Sequence, residues 1–295
     1  MTAAGFGLVL VALTDIFSTL WVPTGRGRLT RWVMSSTWRV LRRASAPART
    51  RGLLDRAGPA AMIAVIVVWA ALLVLGCALV YGPHLPGSFS YPPGSDPGTR
   101  SVVVDALYVS AVGLATLGLG DIVPTAAWLR LVVPLQALLG FVLLTAVVSW
   151  VLQVYPALSR RRTLSLRLSQ LERAADGDPG RAADTSTRAQ LLHDLAADVA
   201  QVRVDLSQYA ETYYYRDGDR EVALPVSLGW AHALAVRASG SSQEDVRLAG
   251  DELGQALEHL VALLRGYFGL TGDDVGAVLR GYAVDQRHHP AAALL

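Results

Sequence analysis

The stretch that decides the fold of this chain is residues 115–124, which read Ala115-Thr116-Leu117-Gly118-Leu119-Gly120-Asp121-Ile122-Val123-Pro124. Its two glycines, Gly118 and Gly120, are separated by one residue, and glycine adopts the left-handed backbone conformation at little cost. An extended strand that alternates right-handed and left-handed residues can aim all its carbonyl groups to one side. Closely spaced carbonyls can replace the water shell of a dehydrated cation. The stretch therefore predicts a cation site built from backbone oxygens, with the Thr116 hydroxyl at its inner end.

Apolar segments flank this stretch on both sides. Residues 59–81, which carry no charge, and residues 128–155 are each long enough to cross a bilayer, which takes about 20 apolar residues. Between them, residues 82–101 are rich in proline, glycine and serine, a composition typical of a surface loop. Residues 102–115 are apolar but too short to span, so we expect a re-entrant helix. Its partially negative C-terminal end would point towards the cation site.

A further apolar stretch lies at the N-terminus of the chain, within residues 1–22. It lacks a basic start and runs into arginines instead of a small-residue cleavage site, so we expect a retained transmembrane helix and not a signal peptide. Asp15 is an acid inside this stretch, which suggests either a functional role or a structural pairing. The composition agrees with a membrane protein, since 52% of residues are hydrophobic and the mean hydropathy is +0.37.

The distribution of charge predicts the orientation in the membrane. Residues 23–58 contain nine arginines against one acid, whereas residues 82–127 contain a single basic residue, Arg100. Because cytoplasmic loops carry an excess of basic residues, we expect residues 23–58 and the C-terminal part in the cytoplasm. The N-terminus and residues 82–127 would then lie outside. The sequence predicts a multi-pass protein of the plasma (cytoplasmic) membrane.

Two basic segments are candidates for contact with the inner leaflet. Residues 29–43 predict an amphipathic helix that lies at the interface within the basic loop 23–58, or else an ordinary basic loop with some helix. The lipid bilayer is therefore an expected partner. Anionic lipid could also bind the arginine run Arg160, Arg161 and Arg162.

Residues 156–295 have a different character from the rest of the chain. They carry 15 arginines against 19 acids, and apolar residues recur at helical spacing, for example at Val246, Ala249 and Leu253. We expect a helical cytoplasmic domain. The sequence shows no metal-ligand cluster, catalytic spacing or glycine-rich nucleotide loop, so neither an enzyme, a cofactor nor a nucleic-acid partner is expected. No apolar stretch has arginine at every third position, so no voltage sensor is expected.

Residues 108–124, followed by an apolar span, resemble the pore region of the potassium channel family, whose signature is Thr-Val-Gly-Tyr-Gly-Asp. The matching residues are Thr116, Gly118, Gly120 and Asp121, and the likeness covers about residues 60–155. The order of elements adds weight to it: span, loop, short helix, filter and span. The resemblance is to bacterial two-transmembrane channels of the pore-loop type, with an additional N-terminal helix.

The resemblance implies a fold and a set of site residues. The fold is an all-α membrane protein: a span–pore helix–filter–span module of a tetrameric potassium channel, an extra N-terminal span and a helical cytoplasmic domain. K⁺, as the permeant ion, would bind the carbonyls of the filter at 116–120, above all at Thr116, Leu117, Gly118 and Leu119. One filter per chain implies a homotetramer, since fourfold symmetry needs four copies. Gly140 would be a gating hinge, or else a site of close helix packing. Thr145 and Val148 would line the cavity.

Two departures from the family pattern affect the filter. Leu119 replaces the usual aromatic residue, and its counterpart on the pore helix is Val109, so any cuff around the filter must be apolar. Ala115 replaces a frequent threonine. Leucine at this position resembles the second pore of some two-pore-domain channels, in which selectivity can be less strict. Passive K⁺ conduction is the leading prediction. A weakly selective Na⁺/K⁺ channel and a non-conducting sensor or scaffold that acts through its cytoplasmic domain are the alternatives.

Overall fold

Helices dominate the structure of this chain. The computed structural model describes residues 1–22, 27–45, 51–92, 101–174 and 184–288, so parts of the predicted basic loop and outer loop lie outside the described residues. Within these ranges the α-helices are α1 Thr2–Leu20, α2 Arg28–Ala44, α3 Arg51–Leu54, α4 Ala57–Tyr81, α5 Val102–Leu114, α6 Leu129–Ala174, α7 Thr185–Gln208, α8 Leu224–Ser239, α9 Glu244–Phe268 and α10 Val275–Asp285. Helices α1, α4 and α6 are long and apolar enough to cross a membrane.

The described residues form two compact units. The apolar unit comprises Met1–Arg39 and Ala60–Gln153, and the polar unit comprises Val40–Pro59 and Val154–Leu295. The segment Val40–Pro59, which overlaps the predicted loop 23–58, thus falls in the same unit as the C-terminal residues, and the predicted domain boundaries stay a prediction. In this unit, Arg42 forms an ion pair of 2.8 Å with Asp285 of α10.

Helix α6 runs without a break past the predicted end of the span. Pro156 lies inside it, although proline removes one backbone hydrogen bond of a helix. Beyond this proline, buried residues continue at spacings of three and four, which is the pattern of a helix packed along one face. They are Ala157, Leu158, Arg161, Leu164, Ser165 and Leu168. Packing of this face accounts for the continuation of the helix.

In the apolar unit, α1 packs closely against α4. A Cβ atom added to Gly5 would lie 2.5 Å from the carbonyl oxygen of Gly76, and one added to Gly76 would lie 2.9 Å from that of Gly5. Two facing glycines therefore let the helix backbones approach each other, as small residues do in membrane helix pairs. The additional N-terminal helix is thus attached to the side of α4.

Asp15 of α1 has a structural role in the start of α2. Its carboxylate accepts hydrogen bonds from the backbone N–H groups of Leu29 and Thr30, at 2.9 and 3.1 Å. The Thr30 hydroxyl and the Trp69 indole N–H also donate to it, at 2.6 and 2.9 Å. A carboxylate that accepts the first N–H groups of a helix satisfies them and interacts favourably with the helix dipole. Of the two roles suggested by the sequence, the structure supports the structural pairing.

Helix α5 lies between α4 and α6 in a common apolar cluster. A short antiparallel ribbon, β1 Phe89–Ser90 and β2 Val123–Pro124, joins the segments before and after α5. The cluster contains residues of α4, α5, the ribbon and the start of α6: Cys77, Ala78, Val80, Tyr81, Leu85, Phe89, Ala106, Val109, Ile122 and Leu129. This packing fixes both ends of the segment 115–122.

The polar unit is built from the C-terminal part of α6 and from α7 to α10. Helices α7 and α9 pack along their predicted apolar stripes, with Leu195 and Leu253 among the residues that are fully buried. The loop after α7 contains a 3₁₀ turn, Ala210–Tyr214. Tyr213 in this turn stacks on Phe268 with ring centroids 3.9 Å apart. The helical domain expected from the sequence is present.

Candidate functional site

The backbone of residues 116–120 alternates between left-handed and other conformations. Thr116, Gly118 and Gly120 have positive φ angles of 57°, 55° and 76°, and the residues between them do not. The left-handed conformation expected at the two glycines is present, and Thr116 adopts it as well. A non-glycine residue in this region costs about 1–2 kcal/mol, so the surrounding structure must hold Thr116 in place.

The end of α5 holds the start of this segment. The N–H of Thr116 donates to the Gly113 carbonyl at 3.0 Å, and the N–H of Leu117 donates to the Val112 carbonyl at 3.1 Å. These bonds occupy carbonyls of the last turn, which a helix otherwise leaves without an internal donor. The segment therefore leaves the helix end in a defined direction, beside the partially negative end of the helix dipole.

The alternating segment is uncovered in a single chain. Residues 115–120 are all exposed, and the side chains of Leu117 and Leu119 are 63% and 60% exposed. Backbone without regular hydrogen bonds is tolerated at membrane depth only when protein covers it or when it lines water. The exposed segment is therefore compatible with membrane depth only where it lines water or where another chain covers it.

A tyrosine holds the outer end of the segment. The hydroxyl of Tyr108, on α5, donates to the Asp121 carboxylate at 2.6 Å. At the start of the same helix, the Tyr91 hydroxyl donates to Asp105 at 3.0 Å. Asp121 matches the family signature in the sequence, whereas no sequence feature singles out Tyr108 as its partner.

Val109 and Leu119 are in different surroundings. Val109 is 5% exposed and belongs to the apolar cluster, whereas Leu119 is 60% exposed and is not part of that cluster. Within one chain, therefore, these two residues do not form the apolar cuff that the sequence suggested. The hydrogen bond between Tyr108 and Asp121 is a side-chain contact between α5 and the end of the alternating segment.

Gly140 lies where α6 meets the end of α5. A Cβ atom at this position would be 1.9 Å from the carbonyl oxygen of Leu114, which is far inside any allowed contact. The structure thus supports the packing alternative at Gly140, and α6 passes through it as a continuous helix. Further along α6, Thr145 and Val148 are exposed in the single chain, and the Thr145 hydroxyl donates to the carbonyl of Phe141.

The arginine run after the last span is engaged within the polar unit. Arg161 is 4% exposed and forms an ion pair of 2.8 Å with Asp217, while its guanidinium also donates to the carbonyl of Tyr215. Arg162 pairs with Asp217 at 2.7 Å. Arg160 pairs with Asp205 at 2.7 Å, and this hydrogen-bonded carboxylate raises the pKa of Arg160.

The structure pairs Arg160, Arg161 and Arg162 with acids of the polar unit, and binding of anionic lipid by this run stays a prediction. Two aspartates of the polar unit pair with the three arginines, and Arg161 is buried. A sequence reading sees the local excess of arginine but not the acids that lie 45 to 56 residues later in the chain.

Comparisons with known proteins agree with this arrangement. Residues 67–155 match the model of a family described as "Ion channel". The chain is 28% identical over 163 residues to "Uncharacterized membrane protein YdjJ" of Bacillus subtilis (strain 168), which covers 55% of this chain and 46% of that protein. It is 33% identical over 94 residues to "Protein LctB" of Geobacillus stearothermophilus, which covers 29% of this chain and 66% of that protein.

The chain thus spans about half to two thirds of the length of these curated relatives. No solved structure matches it. The family match begins in α4 and ends in α6, and so includes α5, the alternating segment and the ribbon around it. The chain is a helical membrane protein, and its residues 67–155 are similar to the family described as "Ion channel".

Proposed function

We propose that this chain is one subunit of a homotetrameric, K⁺-selective channel that conducts passively through the carbonyls of residues 116–120. The observation that carries the proposal is the alternation of positive φ angles at Thr116, Gly118 and Gly120. This alternation lets five consecutive carbonyls face one axis, where they can replace the hydration shell of K⁺. Thr116, Leu117, Gly118 and Leu119 would hold the ions.

The exposure of the filter supports the tetramer. One chain contributes one such segment, and a closed ring of carbonyls around an axis needs several copies. Four copies of α5 would point their C-terminal ends at the same cavity and favour a cation there. Thr145 and Val148, both exposed in the single chain, would line that cavity once four chains have assembled.

We further propose that the protein lies in the plasma membrane with its N-terminus outside and its polar unit in the cytoplasm. The arginine excess of residues 23–58 supports this orientation. The spans carry no regular series of arginines, so the proposed channel is not gated by a voltage sensor. Gly140 as the gating hinge stays a prediction, which competes with the packing role that its contact with Leu114 supports.

A weakly selective Na⁺/K⁺ channel is the second candidate, and one observation favours it. Leu119 is an exposed leucine without a hydroxyl, so no side-chain hydrogen bond from α5 can hold the middle of the filter. A less restrained filter discriminates less strictly if selectivity depends on the spacing of the carbonyls.

Reversal potentials in mixed K⁺ and Na⁺ distinguish these two candidates. The proposal predicts a reversal potential near that of K⁺ for purified protein in planar bilayers. Gly118→Ala should abolish the current while the tetramer persists, because alanine strains the left-handed position in the filter. Gly7→Ala is the matched control, since Gly7 also belongs to a Gly-x-Gly sequence but has open space around it. Equal permeabilities would support the weakly selective channel.

A further inference from the structure

A buried hydrogen-bond network connects α4, α5 and α6 behind the filter. The side chain of Gln136, on α6, lies at its centre. The amide nitrogen of Gln136 donates to the backbone carbonyl and to the hydroxyl of Ser110, on α5, both at 2.9 Å. The Tyr81 hydroxyl, on α4, donates to the Gln136 amide oxygen at 2.7 Å. The Ser110 hydroxyl in turn donates to the carbonyl of Val74, on α4, at 2.8 Å.

The polar groups of this network are buried and hydrogen-bonded. Gln136, Ser110 and Tyr81 are 2%, 0% and 0% exposed. A primary amide at this depth is costly unless its donors and its acceptor are satisfied, and here both of them are. The orientation of the amide is also fixed, because the Ser110 carbonyl accepts only from its nitrogen and the Tyr81 hydroxyl donates to its oxygen. These directional bonds set the rotation of α5 and its position between α4 and α6. Apolar contacts are less directional and would set them less specifically.

The network is connected to the start of the proposed filter through the last turn of α5. Ser110 is three residues before Gly113, whose carbonyl accepts the N–H of Thr116, the first left-handed residue. A Cβ atom on Gly113 would be 3.3 Å from the Gln136 amide oxygen, so α6 packs directly on this turn of α5. A shift of Gln136 would therefore move the turn that carries the inner end of the filter.

We propose that Gln136 is a positioning residue for the filter, and that its bonds to Ser110 and Tyr81 determine how strictly the pore selects K⁺ over Na⁺. This inference rests on the proposed channel function and adds the residues that set its selectivity. Leu119 offers no hydroxyl to α5, so the filter depends on how firmly α5 itself is held. Gln136 contacts Ser110 of α5 and Tyr81 of α4 and contributes no group to the proposed ion site.

The test compares Gln136→Met with the unchanged protein in planar bilayers. Methionine keeps nearly the same length and volume but removes all three hydrogen bonds of the amide. The ratio of Na⁺ to K⁺ permeability should rise at least threefold, roughly the factor that corresponds to one interhelical hydrogen bond in a membrane protein. Leu75→Met, an exposed position on α4, is the matched control and should leave the ratio unchanged. Thermal stability of the tetramer is measured in parallel, because a purely structural residue would change stability and not the ratio.

Ser110→Ala provides a second and milder variant. It removes the hydroxyl and its bond to Val74, while Gln136 can still donate to the Ser110 carbonyl. A smaller rise in the ratio is expected. The variant that combines Gln136→Met with Ser110→Ala should have a permeability ratio no higher than that of Gln136→Met alone, because residues of one network act non-additively. If Gln136→Met fails to assemble, Ser110→Ala and Tyr81→Phe carry the test.

The outcomes separate this inference from the proposed function. A wild-type channel that selects K⁺, together with assembled network variants of unchanged permeability ratio, would overturn the role of Gln136 and leave the channel intact. Wild-type protein that carries no Ba²⁺-sensitive K⁺ current would overturn the proposed function, and the role of Gln136 with it.

Discussion

The hydroxyl of Tyr108 lies 2.6 Å from the carboxylate of Asp121 and donates a hydrogen bond to it. This bond connects the middle of α5 with the residue that follows the last filter carbonyl. Hydrogen bonds to charged groups are stronger than neutral ones. The end of the segment 116–121 is thus held by a polar contact, although Leu119, the fourth residue of the proposed filter 116–120, is apolar.

Tyr108→Phe should destabilise the conducting form of the filter. The loss of a hydrogen bond to a carboxylate is worth about 1.5–3 kcal/mol, which corresponds to a tenfold or larger shift between conducting and collapsed filters. We expect K⁺ current that declines during a recording, measured in bilayers against the wild type. Tyr91→Phe is the matched control, because it removes a similar bond to Asp105 at the start of α5 and not at the filter. Sustained current from Tyr108→Phe would contradict this role.

Gly140→Ala should impair assembly more than gating. The added Cβ would lie 1.9 Å from the Leu114 carbonyl oxygen, so α5 and α6 would have to separate. Overpacking of this kind costs about 1–3 kcal/mol. The expected result is a lower melting temperature of the tetramer in detergent, compared with Gly7→Ala, which has open space.

The same variant decides between the two roles of Gly140. A hinge requires flexibility of α6, so Gly140→Ala would then leave the melting temperature unchanged and alter the open probability. That result would contradict the packing role and support the hinge.

Asp15→Asn should loosen the start of α2. The carboxylate accepts from Leu29, Thr30 and Trp69, and an amide offers a single acceptor oxygen to these donors. Loss of a helix cap costs about 1 kcal/mol, which is roughly a fivefold increase in local opening. Hydrogen exchange of the Leu29 and Thr30 amides measures it. Thr14→Val is the control, since the Thr14 hydroxyl bonds only to carbonyls of its own helix. Unchanged exchange would refute the capping role.

Two arginines of α6 should differ strongly in their contribution to the polar unit. Arg161→Ala leaves the carboxylate of Asp217 buried with a weaker set of donors, and breaking a buried pair costs about 3–5 kcal/mol. Arg173→Ala breaks an exposed pair with Glu221, which is worth about 0–1 kcal/mol. We expect faster hydrogen exchange in residues 210–217 of the full-length Arg161 variant only. Equal exchange in both variants would contradict the buried role of Arg161.

Much of the apolar unit could be predicted from the sequence, because its signals are local. A run of about 20 apolar residues predicts a span wherever it occurs, and the predicted helix 102–115 differs from α5, Val102–Leu114, by one residue. Left-handed backbone at Gly118 and Gly120 follows from the chemistry of glycine.

The remaining features depend on contacts between distant residues. Nothing near Arg161 in the sequence indicates that Asp217 neutralises it, and Thr116 has no intrinsic preference for a left-handed conformation. Gln136 is recognisable in the sequence as a polar residue inside an apolar span, and such a residue usually has a structural or functional role. Its partners, Ser110 and Tyr81, lie on other helices and are identified only by the structure.

The most direct test of the central claim is K⁺ flux into liposomes that contain the purified protein. A K⁺ gradient drives the flux, with Ba²⁺ as the blocker and a Na⁺ gradient as the comparison. A K⁺-selective filter at residues 116–120 predicts a flux that is blocked by Ba²⁺, is carried by K⁺ and not by Na⁺, and is lost in Gly118→Ala. Equal K⁺ and Na⁺ fluxes, or a K⁺ flux that persists in Gly118→Ala, would contradict a K⁺-selective filter at residues 116–120.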